Sequence, residues 1–212
     1  MRYKSCILLL AVFYISCKKK PVNPQAIKLY KSVMDSYIRS SYTKRGMENA
    51  VTGLNKAIKI DTNYFAAYES KFGFKLLLKH YQDAILTGKQ MVRLSPNNIT
   101  IRMQMGVVYE NSGDKVTAEK YYNQGLSMYN KLLDTMSSDN KMCKEIEFEK
   151  ALGLIFLHQE QKGYGLIKDL FNKEPDAGIK QMYQQFMNTS REDLLTGRRD
   201  TVTTTSGNAI LK

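Results

Sequence analysis

The sequence predicts an all-α fold, a solenoid of antiparallel helical hairpins, and three observations carry that prediction. Ala50, Ala84 and Ala118 recur at a constant spacing of 34, a period that few folds generate. Each opens an apolar pattern at helical spacings: Leu54, Ala57 and Ile58 follow Ala50, Met91 and Val92 follow Ala84, and Tyr122, Gly125 and Leu126 follow Ala118. The chain of 212 residues holds 13 Gly and only 4 Pro, which argues against a loop-rich or disordered polypeptide. That length suits one ordinary domain or a row of roughly four to five hairpins.

The first 24 residues read as a leader and a tether. Arg2 and Lys4 precede an apolar run over 7–15, followed by Ser16, Cys17 and three lysines, the order of a secretory signal. The run is less than half of the ~20 residues a membrane-spanning helix needs. Tyr14, Ile15, Ser16 and Cys17 resemble the lipobox of bacterial lipoproteins, with Tyr14 where that family usually has Leu. The resemblance implies a signal peptide over 1–16, lipidation of Cys17, and a lipidated tether over 17–24. Several acyl chains, each methylene worth ~0.8 kcal/mol when buried, would hold the protein on a bilayer. A conventional signal cut near Ser16, or a short uncleaved anchor, are the other readings. The stretch 18–23 lacks the acidic cluster of surface-export signals in Bacteroidetes-type lipoproteins, which favours an outer-membrane anchor facing the periplasm.

A repeat domain is expected over 25–188. Ile27, Tyr30, Val33, Met34, Tyr37 and Ile38 predict an amphipathic helix over about 25–40, and 48–60 makes its partner, with Asp61 and Asn63 in the turn. The second hairpin is expected over 64–79 and 82–94, stopped by Pro96. The third runs over 100–111 and 115–134 around a turn at Ser112, Gly113 and Asp114. A degenerate fourth is expected over 144–161 and 165–172, ended by Pro175, with a capping helix over 179–187 because a solenoid end needs one polar outer face. The remainder, 189–212, is expected to be a C-terminal tail with a capped turn over 190–195 and disorder from Thr201 onward.

The third hairpin resembles the tetratricopeptide repeat (TPR): Gly106, Tyr109, Gly113, Asp114, Ala118 and Tyr122 supply that family's small residue, aromatics, Gly-Asp turn and Ala. The second supplies Tyr68, Tyr81, Ala84 and Pro96, but Lys71 and Phe72 stand where Leu and Gly are usual and Gly73 comes one place late, so its first helix is expected to be rotated or locally irregular. The first keeps Ala50, Leu54, Ala57 and Ile60. Such small residues are needed where two helices cross closely.

Chemistry is sparse. His80 has a single nearby carboxylate, Asp83, and His158 has none at helical spacing, whereas a metal site needs three or four ligands; no glycine-rich phosphate loop, nucleophile elbow or paired-cysteine site occurs. No cofactor, metal or catalytic residue is expected. Glu145, Glu147 and Glu149 alternate along a helix and do not converge on one face. Cys143 reads as a packing residue. The formal charge of +12 is uneven: 18–98 holds 15 Lys or Arg against 5 Asp or Glu, and 99–212 holds 15 of each. The basic half would attract acidic surfaces, anionic lipid among them, or serve as a solvated face. Lys71, Lys75 and Lys79 line one predicted helix face without interleaved aromatics, which speaks against nucleic acid.

TPR arrays generally bind proteins or peptides in the concave face lined by the first helix of each hairpin. By that resemblance the partner-binding residues are Asp35, Arg39, Tyr42, Glu69, Leu76, Met103, Val107 and Glu110. The places matching the family's clamp for a terminal carboxylate hold Asp35, Arg39, Ser70, Thr100 and Gln104, a set with one cation, which disfavours that ligand. The expected function is a non-catalytic, lipid-anchored scaffold of the cell envelope that docks a protein or peptide. A basic spacer on the membrane surface or on lipopolysaccharide is the alternative, and an unrecognised enzyme the third.

Overall fold

The computed structural model describes residues 21–136 and 141–196, and among them all regular structure is helical. The expected leader, Cys17 and the tail from Thr201 lie outside the described residues. α1 (Pro24–Arg39) pairs with α2 (Lys44–Ile60), α3 (Phe65–Leu77) with α4 (Tyr81–Leu94), α5 (Ile99–Asn111) with α6 (Lys115–Leu133), and α7 (Lys141–Phe156) with α8 (Glu160–Lys173). The hairpins stack in chain order, α2 on α3, α4 on α5 and α6 on α7. α9 (Ala177–Met187) packs on α8, while α10 (Arg191–Thr196) returns to α5 and α7.

Local chemistry sets the helix starts. Asn23, Thr43, Asn98, Asp114 and Asp176 each accept a bond from a backbone N–H of the first turn that follows, at 2.9 to 3.1 Å. Thr43 therefore opens α2 at Lys44, a turn earlier than the apolar pattern indicates. Pro24 belongs to α1, where its missing N–H carries no penalty at the first helical position. The Asn23 N–H donates to Asp61 at 2.8 Å, tying the chain's entry to the far end of the hairpin. Val22 packs on the first core cluster, so residues assigned to the expected tether over 17–24 join the folded unit.

Ala50, Ala84 and Ala118 are 3%, 0% and 2% exposed, as close helix crossings demand. The second hairpin satisfies that demand in mirror fashion. Phe72 occupies the place, 34 residues earlier, of Gly106, and Gly88 that of Tyr122. A Cβ on Gly106 would run into the Tyr122 ring, and one on Gly88 would meet Met105 and, at 3.0 Å, the Phe72 ring. Large and small partners have exchanged helices, so α3 runs unbroken and the expected irregularity is absent.

The fourth hairpin departs from its predicted bounds. The turn falls at 157–159, where His158 takes φ 56, and Gly163 sits buried inside α8. A Cβ on Gly163 would come within 2.6 Å of the Ala151 carbonyl: this glycine serves close approach of α8 to α7, not a turn. Four apolar clusters run along the array, roughly one per hairpin, sharing residues with their neighbours.

Candidate partner-binding face

The first helices of successive hairpins, α1, α3, α5 and α7, form one face of the array. At its amino-terminal end Asp35, Arg39, Tyr42 and Glu69 are all exposed. Tyr42 adopts φ 60 just past α1, and its ring stands edge-on to Tyr37 at 5.3 Å. Tyr37 in turn meets Phe74 of α3 at 4.6 Å, so Tyr42 is an exposed aromatic on a half-buried tyrosine that rests on the buried Phe74. Neighbouring first helices are joined by the Tyr30 and Ser70 hydroxyls, 3.0 Å apart.

Further along, the expected groove residues are already engaged. Leu76 is half-buried against the second cluster and Val107 against the third. Met103 is only 8% exposed, because Gly125 and Gly153 leave a hole that its thioether and methyl fill, the methyl 2.8 Å from where a Gly153 Cβ would stand. It is a core residue rather than a groove residue. Glu110 is also not free: its Oε2 accepts from the Tyr122 hydroxyl at 2.9 Å and its Oε1 from Arg191 at 2.5 Å.

Arg191 is the residue that reading the sequence missed. Its side chain is 7% exposed and that of Glu110 12%. Besides Glu110 it donates to the Phe156 carbonyl at 2.8 Å and the Ile155 carbonyl at 3.2 Å. These carbonyls end α7, where the helix dipole favours a cation. Leu194 packs on the fourth cluster, Asn111 reaches the Leu195 carbonyl at 3.4 Å, and Tyr164 donates to the Thr189 carbonyl at 2.7 Å. The sequence signal was Ser190 three places before Asp193, an N-cap whose hydroxyl accepts from the Asp193 N–H at 3.1 Å. It announced a capped turn but neither the helix nor its destination. The folded unit accordingly runs past the expected boundary at 188.

Burial and the adjacent Glu110 carboxylate push the Tyr122 phenol well above its ordinary range. Burial and Glu149, which accepts from the Tyr129 hydroxyl at 2.7 Å, do the same to Tyr129. Both phenols are donors, with no tendency to ionise near neutrality.

The lysine stripe does not form a rail. Lys75 pairs with Asp83 at 2.7 Å, Lys79 leaves helical geometry at φ 58, and Lys71 is half-buried, its ammonium pushed to lower pKa by burial and by Lys75. The Lys75 hydrogen bond holds the Asp83 carboxyl below its ordinary range. An open depression of about 430 Å³ lies beside this pair, bordered by His80 and Asn111. Among the described residues no three His, Cys, Asp or Glu gather as a metal site, and no helix is long and apolar enough to cross a membrane. Cys143 is buried and not in a disulfide.

The hairpin order, the crossing residues and the stacked clusters define a tetratricopeptide-like solenoid. Solved structures of this fold match the chain: a Podosopora anserina protein described as a putative kinesin light chain of nearly identical TPR-like repeats aligns at TM-score 0.54 and 13% identity, covering 82% of this chain and 88% of that one. A variant of the same protein aligns at TM-score 0.55 with the same identity and coverage. YrrB, a TPR protein described as having an unusual peptide-binding site, aligns at TM-score 0.46 and 15% identity over 76% of this chain and 75% of its own. No protein-family model and no curated protein matches the chain.

Proposed function

We propose that this protein is a non-catalytic interaction scaffold of the bacterial cell envelope, held to the membrane by lipid on Cys17 and docking a protein or peptide on the face of its first helices. The observation that carries the reading is the amino-terminal part of that face. Asp35, Arg39 and Glu69 stand exposed on helices whose other sides are locked into the first two clusters, and Tyr42 stands exposed in the turn that follows α1. A rigid support with a mixed polar and aromatic rim suits protein recognition, in which Arg and Tyr dominate contact energy. The lipobox-like order that ends in Cys17 supports the lipid anchor, and the lack of an acidic cluster over 18–23 supports an outer-membrane site facing the periplasm. Crosslinking from membranes followed by mass spectrometry should recover one discrete partner from wild type and less from Arg39→Ala/Tyr42→Ala; no partner under several growth conditions would count against the reading.

A second reading has one observation in its favour. Lys44, Arg45, Lys56 and Lys59 of α2 are all exposed, a surface that anionic lipid or lipopolysaccharide would attract. Liposome binding by protein lacking the lipid should then fall steeply with salt; salt-insensitive binding would exclude it.

A further inference from the structure

α10 meets the rest of the chain through a set of polar contacts and one apolar side chain, Leu194, on the fourth cluster. Only Arg191 of its six residues is buried; Glu192 and Thr196 are exposed and the others half-buried. A helix of six residues does not hold itself together in water, so α10 depends on what it docks through, the bound guanidinium and Leu194. The site that binds it is built from three acceptors: the Glu110 carboxylate and the carbonyls of Ile155 and Phe156. Glu110 is itself held by the Tyr122 hydroxyl, whose ring packs on Phe156 at 5.6 Å. The acceptors therefore keep their positions independently of Arg191.

We infer that this pocket between α5 and α7 is a guanidinium-reading site, filled in the resting chain by Arg191 and given over to an arginine-bearing helical segment of a protein partner when α10 lifts away. The inference rests on the first-helix face being a protein-binding surface, and it names what one part of that face recognises. A guanidinium is demanded rather than an ammonium, because the acceptors lie on different helices and are met by two nitrogens of one planar group, Nε on Ile155 and Nη2 on Phe156 and Glu110. Replacement is feasible because a buried ion pair contributes little net stability to a fold, and water that reaches Glu110 when α10 lifts away offsets part of the cost of the open site. An incoming arginine meets the same acceptors without any rearrangement of α5 or α7. Competition between the tethered and the incoming segment is then set by effective concentration.

The test uses the full chain and a fluorescein-labelled peptide spanning residues 188–197, with a second peptide in which the arginine at its fourth place is lysine. The Arg191→Ala variant should bind the arginine peptide at least tenfold more tightly than wild type does, and the lysine peptide at least tenfold more weakly than the arginine peptide. Adding Glu110→Gln to Arg191→Ala should abolish binding. Equal binding by wild type and Arg191→Ala, no binding by Arg191→Ala, or equal binding of the two peptides would overturn the inference. Should Arg191→Ala not fold, hydrogen exchange on wild type decides: α10 amides should exchange well ahead of those of α5 and α7, and faster still with millimolar arginine peptide. Exchange of α10 only together with α7 would make it a structural latch and overturn the site. Concentration-dependent dimers that exchange α10 would assign the pocket to a second copy and overturn the partner. Peptide binding without any partner crosslinked from membranes would fail the scaffold reading alone. A crosslinked partner recovered equally from wild type and Arg191→Ala, with no peptide binding, would fail the pocket alone.

Discussion

Arg191 and Glu110, 81 residues apart in the chain, meet at 2.5 Å across the face formed by the first helices. The pair fastens the last described helix to the third hairpin and fills the part of the face where a partner was expected to lie. Its energetics follow from where water can go. A pair that cannot reach solvent loses about 3–5 kcal/mol when one member is removed, but here the departure of α10 would let water reach Glu110. Arg191→Ala should therefore lower unfolding free energy by less than that range. Urea melts of wild type and variant check it; a full loss at the top of the range would mean that α10 cannot leave.

The exchanged pair of the second and third hairpins makes opposite predictions for glycines in one array. Gly88→Ala and Gly106→Ala place a methyl against Phe72 and Tyr122, and overpacking of this kind costs about 1–3 kcal/mol. Gly73→Ala meets nothing within 4 Å, so its gain in helix propensity of about 1 kcal/mol should be realised. Thermal melts should move down for the first two and up for the third.

Left-handed residues recur at the hairpin turns, at Lys79 with φ 58 and at Gly113 with φ 92, 34 positions apart. Gly113→Ala should destabilise by roughly 1–2 kcal/mol, the cost of a side chain in that region. Lys79→Gly should stabilise, by less than that, because glycine also loses more backbone entropy on folding. Equal and opposite shifts in chemical denaturation would contradict the entropic part.

Acid should loosen the second hairpin. The hydrogen bond from Lys75 lowers the folded pKa of Asp83, so the contribution of this pair is fully present above the ordinary Asp value of about 3.9 and is lost as pH falls through the depressed folded value. Asp83→Asn should flatten that acid limb while changing little near neutrality. Melting temperature against pH for the two proteins measures it; an unchanged acid limb would show that Asp83 is not responsible.

The proposed lipidation has a simple readout. Cys17→Ala should abolish incorporation of labelled fatty acid and release the protein from membranes, since no other thiol stands in a lipobox-like order. A labelled mutant would refute the assignment.

Much of the architecture was legible from residues alone because helical repeats encode themselves locally. The alanine period, the turn at Gly113 and Asp114 and the prolyl stop at Pro96 act within one or two turns of where they stand. The fourth hairpin's turn was expected over 162–164, and only the approach of α7 shows that Gly163 in that stretch is a packing residue. The binding face was the least legible. Asp35, Arg39, Tyr42 and Glu69 are exposed as expected, yet Met103 disappears into a hole made by two distant glycines, Gly125 and Gly153.

That this chain folds into stacked helical hairpins was settled along the chain, since period, caps and apolar spacing are properties of sequence neighbours. Which residue fills which crossing was settled only when the helices came together, because the exchange of Phe72 and Gly88 for Gly106 and Tyr122 conserves the volume at the contact without conserving its address. The fate of Glu110 belongs to the same level: a carboxylate on a helix face reads as exposed until folding brings a cation from the far end of the array against it.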